Sequence, residues 1–223
     1  MPNQAHLAEP IIISDKPSMF THMLAELRDE LLQKDRMKFR FNAERASEIM
    51  AYELSKHLLY EEVEVTTPLG TASCQKLARQ PVLTSILRAG LVMQNGFMRV
   101  FDQADNAFVS AYRKFTTSDD FVVDIEYTSM PDIEERTLIL LDPMIATGRS
   151  MVRAVKKVLE GEGKPAALFI ATIIASEEGI EYVRRNLPEA RLFIGDVDSE
   201  LTAKAYIVPG LGDAGDLAFG EKS

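Results

Sequence analysis

Residues 138–150, LILLDPMIATGRS, constrain this chain more than any other stretch. An apolar run ends in Asp142, a short loop carries Thr147, Gly148 and Ser150, and a helical pattern opens at Met151. A buried strand therefore delivers Asp142 to its carboxyl end. The loop's backbone N–H groups and hydroxyls can wrap an oxygen-rich anion at the N-terminus of the next helix. With a carboxylate beside it, that phosphate cradle suits a phosphorylated sugar.

The strands around the loop set the fold class. Val82 to Leu87 reads as a strand ending in Arg88-Ala89-Gly90, with a helix through Val100. Phe108 to Tyr112 is a strand ending in Arg113, and Phe121 to Tyr127 alternates as another. After the loop come a helix from Ser150 to about Gly161, a strand at Ala166–Ala175, a helix at Glu177–Leu187, and strands at Arg191–Gly195 and Tyr206–Val208. Strands alternating with helices predict an α/β fold, a mostly parallel sheet flanked by helices. Such sheets bind ligands beyond the carboxyl ends of their strands. Arg88, Arg113, Asp142 and the segment after Val208 all fall at that position.

The first third follows another pattern. Residues 1–17 read as an extended arm whose Ile11-Ile12-Ile13, between Pro10 and Pro17, is placed to dock on a surface. Ser18 predicts the N-cap of a helix to Gln33 and Asn42 that of a second to about Leu59, so residues 18–60 form an N-terminal helical extension. Glu61 to Val65 alternates as a half-exposed strand. Residues 115–131 predict a β-arm and 205–220 a glycine-rich C-terminal hood segment, all within one domain spanning 1–223.

Composition removes several classes of function. A formal net charge of -9 argues against a surface that grips polynucleotides, because that binding depends on phosphate neutralisation. Cys74 is the only cysteine, which excludes an intrachain disulfide and a thiolate cluster; it reads as a small, partly buried residue. His6, His22 and His57 lack ligand spacing. No apolar run approaches membrane-spanning length and the first residues carry no secretory pattern, so a cytoplasmic protein without membrane contact is expected.

Residues 210–215, GLGDAG, match GxGxxG literally. That fingerprint needs a helix after the glycines and an acid about twenty residues on, so no dinucleotide site is expected. Three glycines in six residues instead let backbone approach a ligand closely, with Pro209 stiffening the entry and Asp213 and Asp216 flanking it. Gly161 or Gly163 is the expected C-cap of the helix before it.

The core DPMIATGRS, ILRAGL at 86–91, YIVPGLGDAGD at 206–216, PDIEERTLILLDP before the loop and EEVEVTTPL at 61–69 together resemble the uracil phosphoribosyltransferases. The resemblance runs from Phe20 to Gly220. It implies a type I phosphoribosyltransferase-like fold, and transfer of ribose 5-phosphate from 5-phosphoribosyl 1-diphosphate to N1 of uracil, a pyrimidine salvage step yielding UMP and diphosphate. Asp142, Pro143, Met144, Ile145, Ala146, Thr147, Gly148, Arg149 and Ser150 then hold the phosphoribosyl group. Arg88 and Arg113 face the diphosphate side. Ile207, Gly212, Asp213 and Ala214 form the uracil pocket, with Asp213 also facing the phosphoribosyl diphosphate. Asp142, Asp213 and Arg113 are the implied catalytic residues. Magnesium carried by the diphosphate rather than held directly by the protein, a GTP effector, and a homodimer or larger homo-oligomer complete what the resemblance implies.

The chain departs from that family at three places. Arg149 stands where glycine is usual. SAYRKF at 110–115 lacks the usual glycine before Leu-Tyr-Arg and the acid after it, and Leu217-Ala218 follow Asp216 without the usual basic residue. Two alternatives stay open at the level of sequence. One is a regulatory protein on the same fold that senses phosphoribosyl diphosphate or UMP and binds RNA, which the negative charge disfavours. The other is a phosphoribosyltransferase for another base.

Overall fold

The computed structural model describes residues 8–115, 121–161 and 163–221, with backbone alone over 111–115 and 121–126. The chain enters along β1 (Ile11–Ile12), which pairs in parallel with Phe193 and Ile194 of the last sheet strand, so the isoleucine run docks on its own sheet. Helix α1 (Met19–Arg28) starts as expected at Ser18, whose hydroxyl accepts from Phe20 N–H at 3.2 Å while its own N–H donates to Thr21 at 2.9 Å. It stops short of Gln33. Asp29 leaves helical geometry at ψ 117°, and its carboxylate takes the N–H groups of Leu31 and Leu32 at 2.8 and 3.0 Å. Helix α2 (Arg36–Ser55) is capped by Asp35, not by Asn42. The Asp35 carboxylate accepts from Met37 and Lys38 N–H, and Asn42, buried two turns later, donates instead to Glu26 of α1 at 2.6 Å.

Strands β2 (Tyr60–Thr67) and β3 (Gly70–Leu77) form an antiparallel ribbon, the second strand of which the alternation did not signal. Cys74 lies on it exposed rather than partly buried, since most residues of both strands face solvent. Then come β4 (Val82–Leu87), α3 (Leu91–Val100), β5 (Asp105–Phe115) and β6 (Phe121–Ser129). The last two pair antiparallel with an irregularity at Ser110/Ala111, so the hairpin starts well before the expected arm, whose residues 116–120 lie outside the described residues. Arg113 consequently sits inside β5 opposite Val123, not just past a strand end, and its side chain lies outside the description.

The remaining elements are β7 (Thr137–Leu141), β8 (Met144–Ile145), α4 (Arg149–Leu159), β9 (Ala167–Ser176), α5 (Glu177–Asn186), β10 (Arg191–Asp198), β11 (Glu200–Leu201), β12 (Ile207–Val208) and α6 (Ala214–Phe219). Helix α4 ends at Leu159 with Glu160 as C-cap, before both expected glycines. The main sheet runs β1-β10-β9-β7-β4-β5-β6, parallel except for β6, with β8 added beside β9. Strand β12 pairs only with β11 in a small antiparallel ribbon, so the C-terminal segment does not leave the parallel sheet as the sequence suggests.

Alternate residues of β7 explain the layering. Ile139 and Leu141 join the core under α1, α2, α3 and α6, whereas Leu138 and Leu140 join the core under α4 and α5. A strand covered on both faces must be apolar throughout, and Leu138 to Leu141 are 0% exposed. Among the described residues no helix is long and apolar enough to cross a membrane.

Candidate active site

The chain leaves β4 through α3 to β5 on one side, then returns with β7 on the other, followed by β9 and β10. The strand order reverses between β4 and β7, where open parallel sheets form a ligand crevice at their carboxyl ends. Ser85 of β4 lies opposite Leu141 of β7, so Arg88 and Asp142 emerge on the two sides of that crevice.

Residues 142–151 enclose a cavity of about 160 Å³ lined by Asp142, Met144, Ile145, Ala146, Thr147, Gly148, Ser150 and Met151. The loop is fixed from behind. Ile174 N–H donates to Pro143 O at 3.0 Å, and the Ser176 hydroxyl donates to Ala146 O at 2.5 Å while accepting from Gly179 N–H at 2.9 Å. Gly179 of α5 has to be glycine for this approach, because a Cβ there would overlap Ala146 O and stand 2.8 Å from Ile145 O. Gly148 adopts φ +72°, the left-handed turn that swings the chain into α4. Gly148 itself gives no side-chain cap, and the first turn of α4 borders the cavity through Gly148, Ser150 and Met151. Arg149, the first residue of α4, is exposed.

Arg88 lies at the other wall. Its Nη2 pairs with Asp216 Oδ1 at 2.9 Å, its Nη1 donates to Gly220 O at 3.1 Å, and its Nε is buried with no hydrogen-bond partner among the described residues. Behind it, Ser85 bonds Gln94, which bonds Asn106, tying β4, α3 and the start of β5 through buried polar groups. The Leu87–Arg88 peptide is cis.

The C-terminal segment completes the crevice. Gly210 and Gly212 adopt φ +62° and +88°, after a cis Val208–Pro209 peptide. A short helix follows these glycines: Asp213 caps the six-residue α6 by accepting from Asp216 N–H at 3.0 Å. The dinucleotide reading still lacks its strand–helix–strand frame, because β12 stands outside the parallel sheet. The side chains of Ile207 and Ala214 are buried in the core with Leu211 and Ala218, so those residues offer a ligand their backbone. Gly212 and Asp213 are exposed. A Cβ at Gly215 would stand 3.2 Å from Asp213 Oδ1 and 3.7 Å from Arg88 Nη2, so the aspartate and the arginine both lie close beside that glycine.

Arg88, Asp142, the loop and the C-terminal segment thus gather at one end of the sheet, while Arg113 lies within β5 opposite Val123. Sequence reasoning missed three residues that shape the site: Arg28 on α1, and Asp196 and Asp198 near the end of β10. Burial opposes the Arg28 charge, but the hydrogen bonds it donates to Asp198 and Asp196, together with their negative charges, outweigh it and raise its pKa above the ordinary value. Acids two apart near a strand end share a face and were a legible signal. The arginine that joins them, 168 residues from Asp196 in the chain, was not.

Comparison with known proteins adds the chemistry of relatives. The family profile described as Uracil phosphoribosyltransferase matches residues 13–221. A uracil phosphoribosyltransferase of Porphyromonas gingivalis is 46% identical over 215 residues, covering 96% of this chain and 99% of that protein. One from Thermococcus gammatolerans is 39% identical, covering 89% and 88%. Among solved structures, the AQ2163 protein of Aquifex aeolicus superposes with a TM-score of 0.82 at 29% identity, over 92% of this chain and 96% of that one. A hypoxanthine phosphoribosyltransferase of Staphylococcus aureus, at TM-score 0.50 and 14% identity over 82% and 84%, shares the fold.

Proposed function

The chain belongs to the uracil phosphoribosyltransferase family, and we propose how its site divides the work of that enzyme. The reaction joins N1 of uracil to C1′ of 5-phosphoribosyl 1-diphosphate as the C1′–O bond to diphosphate breaks, and N1 gives up its proton. UMP and diphosphate are the products, in pyrimidine salvage. The observation that carries the assignment is the juxtaposition of the 142–151 cavity with Arg88 and the C-terminal segment at one switch point.

Residues 142–150 hold the phosphoribosyl group, with the 5-phosphate at the N-terminus of α4. Displacement at an anomeric carbon passes through an oxocarbenium-like state. Asp142 beside the ribose offsets the developing positive charge; Arg88 and Arg113 stabilise the departing diphosphate. Arg88 carries a buried Nε with no partner among the described residues, a donor suited to that anion. Asp213 positions the base and faces the same diphosphate.

Uracil is read by the backbone of Ile207, Gly212, Asp213 and Ala214. Support comes from the burial of the Ile207 and Ala214 side chains, which leaves fixed peptide groups to match two acceptor oxygens flanking an N3–H. Cytosine reverses that pattern at two positions. An unpaired buried polar group costs about 1–3 kcal/mol, so discrimination of about a hundredfold or more is expected.

Magnesium enters this reading as the counter-ion that the substrate's diphosphate carries, as the family resemblance implies. Bound there, it neutralises charge on the leaving group. A GTP effector follows from the family resemblance. Exposed Met37, Phe41 and Tyr52 on α2 support a homodimer or larger homo-oligomer, and a cytoplasmic enzyme completes the reading.

A purified assay tests the function: UMP formation from uracil and phosphoribosyl diphosphate, with cytosine, hypoxanthine and xanthine in parallel. Turnover with uracil alone is expected. Turnover of cytosine at the uracil rate would remove the backbone pocket, and turnover of no base would remove the enzyme.

A further inference from the structure

We infer that Arg28 and Asp198 are positioning residues for the base, acting through the two polar groups of Gly210; the inference rests on the reading of the C-terminal segment as the uracil pocket. Gly210 N–H donates to Asp198 Oδ2 at 3.0 Å, and Gly210 O accepts from Arg28 Nη1 at 2.9 Å. One peptide residue in the turn is therefore held from both sides by side chains. One comes from α1 and the other from the end of β10.

The two side chains are locked to each other as a fork. Arg28 Nη1 lies 2.8 Å from Asp198 Oδ2 and Nη2 lies 2.9 Å from Oδ1. Arg28 Nη2 also reaches Asp196 Oδ2 at 2.8 Å, and Asp196 Oδ1 accepts from the Ser14 hydroxyl at 2.6 Å. Asp198 is only 6% exposed. Planar bidentate pairs fix orientation as well as distance, which a lysine point charge does not.

This clamp does more than join α1 to β10. Apolar residues of similar volume join packed elements as well as a buried ion pair does, or better. What the fork adds is a fixed place for one peptide group. Gly210 has φ +62° and no side chain of its own to anchor it. Leu211, 3% exposed, then plugs the core, and the backbone passes directly to Gly212, Asp213 and Ala214. Any rotation at Gly210 moves the peptide groups that face uracil. The phosphoribosyl loop at 142–150 shares none of these bonds.

The test is steady-state kinetics on the full chain, varying each substrate separately. Arg28→Lys keeps a positive charge beside Asp198 but loses the fork. Asp198→Asn keeps an acceptor for Gly210 N–H but loses the charge. Each is expected to raise the Michaelis constant for uracil about tenfold, as loss of a charge-assisted hydrogen bond does. The constant for phosphoribosyl diphosphate should stay within about twofold. Ser14→Ala, which removes a bond to Asp196 but none to Gly210, should leave both constants unchanged. Should either variant raise both constants together, or lower the melting temperature with the uracil constant unmoved, the clamp is merely structural and the inference fails. Absence of uracil turnover in the unmodified chain would instead defeat the functional reading on which the inference stands.

Discussion

The loop at 142–150 and the segment at 207–220 flank one crevice, yet they are built by opposite means. The loop continues a fully buried strand and is secured by the adjoining β9–α5 corner: the Ser176 hydroxyl and Gly179 close on Ala146, and the Ile174 backbone on Pro143. The C-terminal segment leaves a two-residue strand outside the sheet and hangs from distant side chains. Arg28 and Asp198 hold Gly210, Arg40 donates to Ala218 O at 2.7 Å, and Arg88 holds Asp216 and Gly220. A phosphate needs N–H groups converging on a point, which a strand–loop–helix corner supplies locally. A flat base needs a fixed edge of donors and acceptors, and here long-range ties hold it.

That contrast breaks most visibly at the carboxylate of the loop. Asp142→Asn removes the charge proposed to lie beside the ribose while preserving shape, and should lower kcat by about 10²–10³-fold with folding intact. Retention of wild-type kcat would show that Asp142 does not stabilise the transition state. Next in size is Gly179→Ala. The added methyl overlaps Ala146 O, so the loop must shift; about 10²-fold in kcat/KM and about 1–3 kcal/mol of stability are expected to be lost. A chemical-denaturation curve and a rate measurement on the same preparation check both.

Arg149→Gly should do far less. The side chain is exposed, where charge is screened, so the Michaelis constant for phosphoribosyl diphosphate should change by less than about threefold. A tenfold rise would make Arg149 a phosphate ligand and mark a real departure from the family's glycine. The smallest effect concerns the helices behind the clamp. The Asn42 amide, opposed by slight desolvation and aided by Lys38, holds the Glu26 carboxyl below its ordinary value of 4.5. With the folded pKa depressed, the unfolded chain binds more protons below 4.5. The Glu26–Asn42 tie between α1 and α2 therefore contributes stability above that pH and loses it as pH falls through the folded value. Titration by NMR should show Glu26 below 4.5, and nearer to it in Asn42→Ala; an unmoved titration would remove the tie.

How much was legible in the sequence follows the same divide. The parallel sheet, Arg88 at the end of β4, Asp142 at the end of β7 and the loop were readable because each is a contiguous pattern of apolar run, polar residue and turn. Local competition explains the misplaced caps. Asp35 offers its carboxylate before Asn42 does, and Asp29 bonds the N–H groups of Leu31 and Leu32 and ends α1 at Arg28. Strand β12 was readable at Tyr206–Val208, but its partner β11, two residues long, has no period to read, so the side ribbon they form gave no signal. Arg28 looked like any basic residue within a surface helix. Its role depends on acids far along the chain, which no local pattern carries.

The central claim, that one site has two separately built halves, is tested most directly by placing Gly179→Ala and Arg28→Lys side by side and measuring the Michaelis constant of each for both substrates. Gly179→Ala is expected to raise the constant for phosphoribosyl diphosphate and spare that for uracil, and Arg28→Lys to do the reverse. If each variant raised both constants in equal proportion, the loop and the C-terminal segment would be one coupled structure and the division drawn here would be wrong.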